Sequence, residues 1–367
     1  MQAMSDKAHI IEGPGAAGPV YRRDHRKADG RSLYLYGHKP HALPPMAETA
    51  ATIAPGGELR RDPLRGDWAV YAGHRQNRTH LPNPADNPLA PMRPDGGETE
   101  IPFADFELAV FDNRFPSLHP DAAQPAADHL DAEERTAASG TCEVIVYSAD
   151  ADTRLADLVQ DQRILLVEAW IDRYRMLRAA GLAYILPFEN RGTEIGATLH
   201  HPHGQIYGFP IVPEPQANAA RGFAKGYDLA TAIDSWGEAH HVAANATMQA
   251  VVPPFARFPY ECWIVPKTAH HGPWTFSAAE VRDYAAMLGR MQAAYDALFD
   301  RPMPYMMSLH AAPTGHDAPY HFTSQFYPML RDAKRVKFLA SVEQATGVFT
   351  VDIAPEQAAA ALRTVFA

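Results

Sequence analysis

Two ten-residue stretches, "HPHGQIYGFP" beginning at His201 and "HFTSQFYPML" beginning at His321, align with Gln205 on Gln325. His201 then meets His321, and His203 meets Thr323. Each stretch ends a segment with the same order of patterns. In the first copy, "CEVIVYSAD" alternates as a strand does, and Val167, Trp170, Ile171, Tyr174 and Leu177 recur at three and four residues, the spacing of one helix face. The strand-like "LAYILPFEN" and the histidine stretch follow. In the second copy, "ECWIVPKTAHH" leads to "SAAE", a capping box at Ser277 and Glu280 that satisfies the first free amides of a helix. Tyr284, Met287, Leu288, Met291, Tyr295 and Leu298 line that helix, and "YMMSLHAAP" and "HFTSQFYPML" read as strands after it. A β-β-helix-β-β unit occurring twice restricts the chain to an α+β fold of two similar halves, in which only the first copy keeps the second histidine.

The length of 367 residues and a 46% hydrophobic content suit two domains or one duplicated one with a sizeable core. Residues 1–55 mix Pro, Gly, Ala and scattered charge and read as a mobile N-terminal arm, with "RSLYLYG" at 31–37 as one short strand. Residues 56–215 form the first half with the "HPHGQ" segment, and 216–367 the second. A net charge of −10 argues against general nucleic-acid binding. No run approaches the roughly 18 apolar residues of a membrane span, and the opening residues hold no apolar stretch resembling a signal peptide. The expected location is cytoplasmic, with no membrane or nucleic-acid partner. Cys142 and Cys262 each lie inside an apolar run and read as buried free thiols.

The cluster His200, His201 and His203 admits three readings. As metal ligands, His201 and His203 would share a strand face with His200 turned away. Two imidazoles leave a zinc site incomplete, and His310, His321 and Glu189 are the candidates to complete it. As core residues they would merely be satisfied by hydrogen bonds. As catalysts, a neutral imidazole can attack phosphorus and hold the phosphoryl group, its other nitrogen fixed by a backbone carbonyl. Gly204 would then let a phosphate approach the backbone, and Gln205 would donate to a phosphoryl oxygen without titrating. Elsewhere, Arg75 and Arg78 read equally as surface charges, Asn190 as a turn cap, Phe115 and Phe338 as core residues, and Lys337 as part of a solvated basic run.

The segment "FENRGTEIGATLHHPHGQIY" resembles the active-site segment of galactose-1-phosphate uridylyltransferases, the transferase branch of the histidine-triad superfamily. "RRDPLRGDWAVYAGHRQNR", "VFDNRFPSL", "CEVIVYSADADTRLADL", "FPYECWIVPK" and "VKFLASVEQ" fall in that family's order and spacing, from residue 60 to the C-terminus. "KADGRSLYLYG" is similar to the N-terminal strand of actinobacterial-type members. The resemblance implies two tandem histidine-triad-like halves, each an antiparallel sheet with packed helices. It also implies a ping-pong transfer of uridylyl from UDP-glucose to a hexose 1-phosphate through a uridylyl-histidine. By motif position His203 is the nucleophile, with His201 and Gln205 in the same catalytic motif. Asn190, Gly196 and Thr198 fall at phosphate contacts, Arg75 and Arg78 at the nucleotide phosphates, and Asn113 and Phe115 on the uridine side. Lys337, Phe338 and Glu343 match a segment that reaches the hexose phosphate from the partner subunit of a homodimer.

The chain also departs from the family. Where many members hold zinc with a Cys-x-x-Cys pair, a later histidine and the first histidine of "HPH", this chain has Asn87, Ala90 and Ala151, leaving His201 alone. Thr323 and Gln325 replace histidines of a second metal site and strand His310. No metal and no cofactor is expected. The substrates implied are a nucleotide sugar and a sugar 1-phosphate, the acceptor sugar being open. A phosphorylase or adenylyltransferase of the same superfamily, acting on ADP-sugars or dinucleoside polyphosphates, and a non-catalytic nucleotide-sugar binding protein are the alternatives.

Overall fold

The computed structural model describes residues 8–41, 57–77, 87–92, 99–103, 105–130, 133–197 and 199–366. The chain opens with strands β1 (His9–Ile10), β2 (Tyr21–Arg26) and β3 (Ser32–Gly37), followed by β4 (Glu58–Arg61) and β5 (Trp68–Tyr71). Next come β6 (Leu108–Asp112), β7 (Arg135–Ala137), β8 (Thr141–Val146), helix α1 (Gln160–Ala179), β9 (Tyr184–Arg191) and β10 (His203–Phe209). Helices α2 (Glu214–Ala224) and α3 (Leu229–Trp236) lead to β11 (His241–Ala244), β12 (Met248–Val251) and β13 (Cys262–Pro266). The last elements are α4 (Ala278–Leu298), β14 (Tyr305–His310), β15 (Thr323–Pro328), α5 (Ser341–Thr346) and α6 (Pro355–Val365).

Among the described residues, twelve strands form one sheet in the order β1-β2-β3-β6-β8-β10-β9-β14-β15-β13-β12-β11. The order reads the same outward from the β9·β14 seam: β10 and β8 on one side, β15 and β13 on the other. Phe188 pairs with Ser308 at this seam, and these two positions are equivalent in the repeat, so a local two-fold axis passes between them. The architecture is α+β, a duplicated antiparallel sheet with packed helices. A smaller sheet, β5-β4-β7, lies beside the first half.

Helices α1 and α4 pack on each other and on one face of the sheet, joining both halves in one hydrophobic core. The helix face read from the sequence is buried, and Ser277 and Glu280 form their capping box. Yet α1 also buries Glu168, Asp172 and Arg173, so it is enclosed nearly all round. Cys142 and Cys262 are buried free thiols. No helix among the described residues is long and apolar enough to cross a membrane.

The N-terminal arm needs correcting. Residues 1–7 and 42–56 lie outside the described residues, but 8–41 are built into the sheet rather than mobile: β3 pairs with β6, β2 with β3 and β1 with β2. Leu33, Leu35 and Tyr36 of β3 are buried in the core, and charge fastens β2 beside them. Asp172 of α1 accepts hydrogen bonds from Arg22 Nη1 at 2.7 Å and from the Tyr36 hydroxyl at 2.6 Å. Arg173, paired with Glu143 of β8, lies 4.3 Å over the Tyr34 ring. Buried ion pairs repay their desolvation only when hydrogen bonds satisfy the remaining polar atoms, as here.

Candidate active site

Strand β10 alternates half-buried and buried residues, so His203, Gln205 and Tyr207 face one side of the sheet while Gly204, Ile206 and Gly208 face the helices. The half-buried face forms the floor of a cleft of about 370 Å³. Val144 of β8 and Phe188 and Asn190 of β9 continue that floor, and Arg75, Asn113, Arg114, Phe115 and Gly196 stand around it.

His203 Nδ1 lies 2.7 Å from the carbonyl oxygen of His201. A carbonyl only accepts, so Nδ1 carries the proton and Nε2 keeps its lone pair. Burial pushes the His203 pKa below its ordinary value, against the raising effect of that backbone bond. The ring is therefore a neutral imidazole at neutral pH, fixed in one tautomer.

His201 supplies that carbonyl without turning its own ring to the cleft. It precedes the strand, so the shared face expected from alternation does not apply. Its buried imidazole receives a hydrogen bond from Asn87 Nδ2 at Nδ1, 3.0 Å, and donates from Nε2 to Ser148 O, 2.8 Å. Both ring nitrogens are thus engaged by hydrogen-bonding groups. Asn87, Ala90 and Ala151 offer zinc no thiolate or imidazole, and the set around His201 does not fit the metal. Among the described residues, no three of His, Cys, Asp and Glu cluster as metal ligands. Glu189 faces the helices, accepting from the Tyr147 and Tyr305 hydroxyls at 3.0 Å each, away from the histidines.

Gly204 also departs from expectation. A Cβ there would meet the Tyr147 hydroxyl at 2.6 Å and the Phe188 carbonyl at 3.0 Å. Its lack of a side chain serves packing on the helix face, not phosphate approach from the cleft.

The loop after β6 folds through an Asx turn in which Asn113 Oδ1 accepts from Phe115 N at 2.8 Å. Arg75, from the short helix Gly73–Asn77, donates to the Phe115 carbonyl and so ties that loop to the rim. Between the two expected residues sits Arg114, which reasoning from the sequence missed: it lines the cleft as a second guanidinium. Its place inside "DNRF", flanked by two site residues, was the available signal. Glu100 also reaches the lining; although burial raises its pKa, Lys27 and Arg31 pull it down overall, and both cations bind it. Gly196 ends the short helix Thr193–Ile195 at φ 77°, where a side chain is disfavoured.

Arg78 and Thr198 lie outside the described residues. The C-terminal trio does not reach the cleft within the chain. Lys337 is buried and donates to Glu343 at 3.0 Å and to the Thr350 carbonyl, so its ammonium points into its own segment. Hydrogen bonding with Lys337 pulls the Glu343 carboxylate down to about 2. Of the three, only Phe338 faces solvent, 68% exposed, with Leu339, Val342 and Val348 exposed near it in sequence.

Residues 56–213 match the N-terminal domain of galactose-1-phosphate uridyl transferase, and residues 235–367 match its C-terminal domain. A galactose-1-phosphate uridylyltransferase of Thermotoga maritima is 36% identical, covering 83% of this chain and 98% of the relative. One from Streptomyces lividans is 31% identical over 93% of this chain and 96% of the relative. A solved uridylyltransferase, 31% identical, superimposes with a TM-score of 0.74 over 84% of this chain and 98% of the other. An ADP-glucose phosphorylase from Arabidopsis thaliana, 22% identical with a TM-score of 0.63, shares the fold.

Proposed function

The chain belongs to the galactose-1-phosphate uridylyltransferase family, and from that premise we propose that it moves uridylyl from UDP-glucose to a hexose 1-phosphate through a covalent adduct on His203. The observation that carries this is the fixed tautomer: Nδ1–H held by the His201 carbonyl, Nε2 free on the cleft face.

In the first half-reaction the Nε2 lone pair attacks the α-phosphorus of UDP-glucose. The Nε2–P bond forms as the bond from phosphorus to the bridging oxygen breaks, and glucose 1-phosphate leaves with that electron pair. The ring, now bonded through Nε2 and protonated on Nδ1, is cationic, and the His201 carbonyl stabilises it. In the second half-reaction a phosphate oxygen of the acceptor attacks the same phosphorus. The N–P bond breaks, its electrons return to Nε2, and the imidazole is neutral again. Gln205, on the same face, offers an amide N–H to the phosphoryl oxygens, and Arg75 and Arg114 offset their charge.

Incubation with UDP-glucose is expected to release glucose 1-phosphate and leave a UMP adduct that His203→Ala cannot form. Labelling by ADP-glucose or a dinucleoside polyphosphate instead would favour a phosphorylase, and binding without adduct or exchange would favour a non-catalytic binder.

The Asn87–His201–Ser148 bridge stands where related chains hold zinc, so elemental analysis is expected to show no stoichiometric zinc. The exposed Phe338, Leu339, Val342 and Val348 support a homodimer in which this segment packs on the partner subunit.

A further inference from the structure

The repeat builds a second cleft on the sheet. Trp263 pairs with Gln325 as Val144 pairs with Gln205, and Ser308 pairs with Gln325 as Phe188 does with Gln205. By that register His310 takes the place of Asn190, Thr323 that of His203 and Tyr327 that of Tyr207. Trp263, His310, Thr323, Gln325 and Tyr327 all line a cavity of about 310 Å³, close in size to the first.

Its chemistry differs from that of the first cleft. Thr323 has no nitrogen nucleophile, and its hydroxyl accepts from Gln325 Nε2 at 2.9 Å, while Gln325 Oε1 accepts from the Tyr327 hydroxyl at 2.6 Å. The polar floor is closed on itself and poised for no bond-making step. The walls are aromatic: Phe223 against Tyr320 at 4.7 Å between ring centres, and Phe255 edge-on to Trp263 at 5.6 Å. Arg257 is the one permanently charged residue of the lining, its guanidinium 5.2 Å above the Tyr327 ring, and no carboxylate belongs to the described lining. His310 and His321, the two histidines of the lining, are both pushed down by burial, so Arg257 is the charge that sets the sign. An aromatic box with one cation and no anion selects a flat ring that carries negative charge.

We propose that this second cleft is a non-catalytic binding site for a nucleoside phosphate, the base stacking on the aromatic walls and the phosphate meeting Arg257. Preferring a nucleoside phosphate to another anionic ring rests on reading the first cleft as a nucleotide site. Base-on-aromatic stacking tolerates different bases, so the site takes purine and pyrimidine alike.

Equilibrium dialysis with labelled UMP and AMP tests this on the intact chain. Two UMP sites per chain are expected for the wild type. Arg257→Ala is expected to weaken the second at least tenfold, and Ala219→Trp, on the α2 rim, to fill the cleft and abolish it. Both variants should still form the His203 adduct, which also shows them folded. One UMP site per chain, with both variants identical to wild type, would overturn the proposal. A single site abolished by Arg257→Ala would leave it standing and overturn the reading of the first cleft instead.

Discussion

At His203, one hydrogen bond and one environment set the tautomer and the protonation state. The imidazole must be neutral to attack, and burial holds its pKa below the ordinary histidine value. Activity limited by this step is therefore expected to be flat through neutrality and to fall only as pH drops through that lowered pKa. A pH profile of kcat/KM whose acid limb lies at or above about 6.5, the unperturbed histidine value, would contradict this. His203→Ala is expected to lower kcat by at least ~10⁴-fold, as loss of a nucleophile does elsewhere. Asn87→Ala leaves His201 Nδ1 buried without its donor, a cost of about 1–3 kcal/mol in stability measured by denaturant titration. His203 stood out as the proposed nucleophile because its counterpart in the second copy is Thr323. Gly204 was misread because it lies between His203 and Gln205, yet on a strand the neighbour faces the other way. Arg114 was passed over because an arginine taken alone does not tell a cleft wall from a surface charge; only its position between Asn113 and Phe115 did.

At the level of elements, the N-terminal strands show where pattern reading fails. β2 is "YRRDHR", with no alternation of apolar and polar residues, because what it presents to α1 is a charge: Arg22 meets Asp172. A strand anchored by buried ion pairs looks like a loop to hydrophobic periodicity. α1 and α4 were legible for the opposite reason, their contacts being apolar and repeating at helical spacing. Two expectations follow from the anchoring. Deleting residues 1–41 exposes the β6 edge and should give aggregated or unfolded protein by size exclusion, whereas a mobile arm would be dispensable. Asp172→Ala takes one of two carboxylate partners from Arg22, Asp24 keeping its own pair, and leaves the Tyr36 hydroxyl without an acceptor, so it should cost about 1–3 kcal/mol by the same denaturant titration. An unchanged midpoint would show that β2 is held by its backbone pairing alone.

For the whole molecule, the exposed apolar residues after Lys337 bear on assembly. Phe338→Glu is expected to shift the species seen by light scattering from dimer to monomer, and an unchanged mass would dissociate this segment from any interface. Acid stability has a site in the second half. The folded pKa of His310 is pushed down to about 4, below its unfolded value near 6.5, so the unfolded chain binds the extra proton between those limits. Stability is lost as pH falls from about 6.5 towards 4, by up to roughly 3 kcal/mol at about 1.4 per unit, and His310→Gln should flatten that part of the melting-temperature profile. The sheet's mirror order leads to a different kind of conclusion. β9, which carries Asn190 into the cleft of His203, is covered along its other edge by β14 of the copy that has Thr323 in the matching place. Each half supplies the neighbour strand that the other would otherwise leave bare. The second copy thus differs at the histidine position while keeping the strands on which the first depends: the side chain is free to vary there, the shape is not.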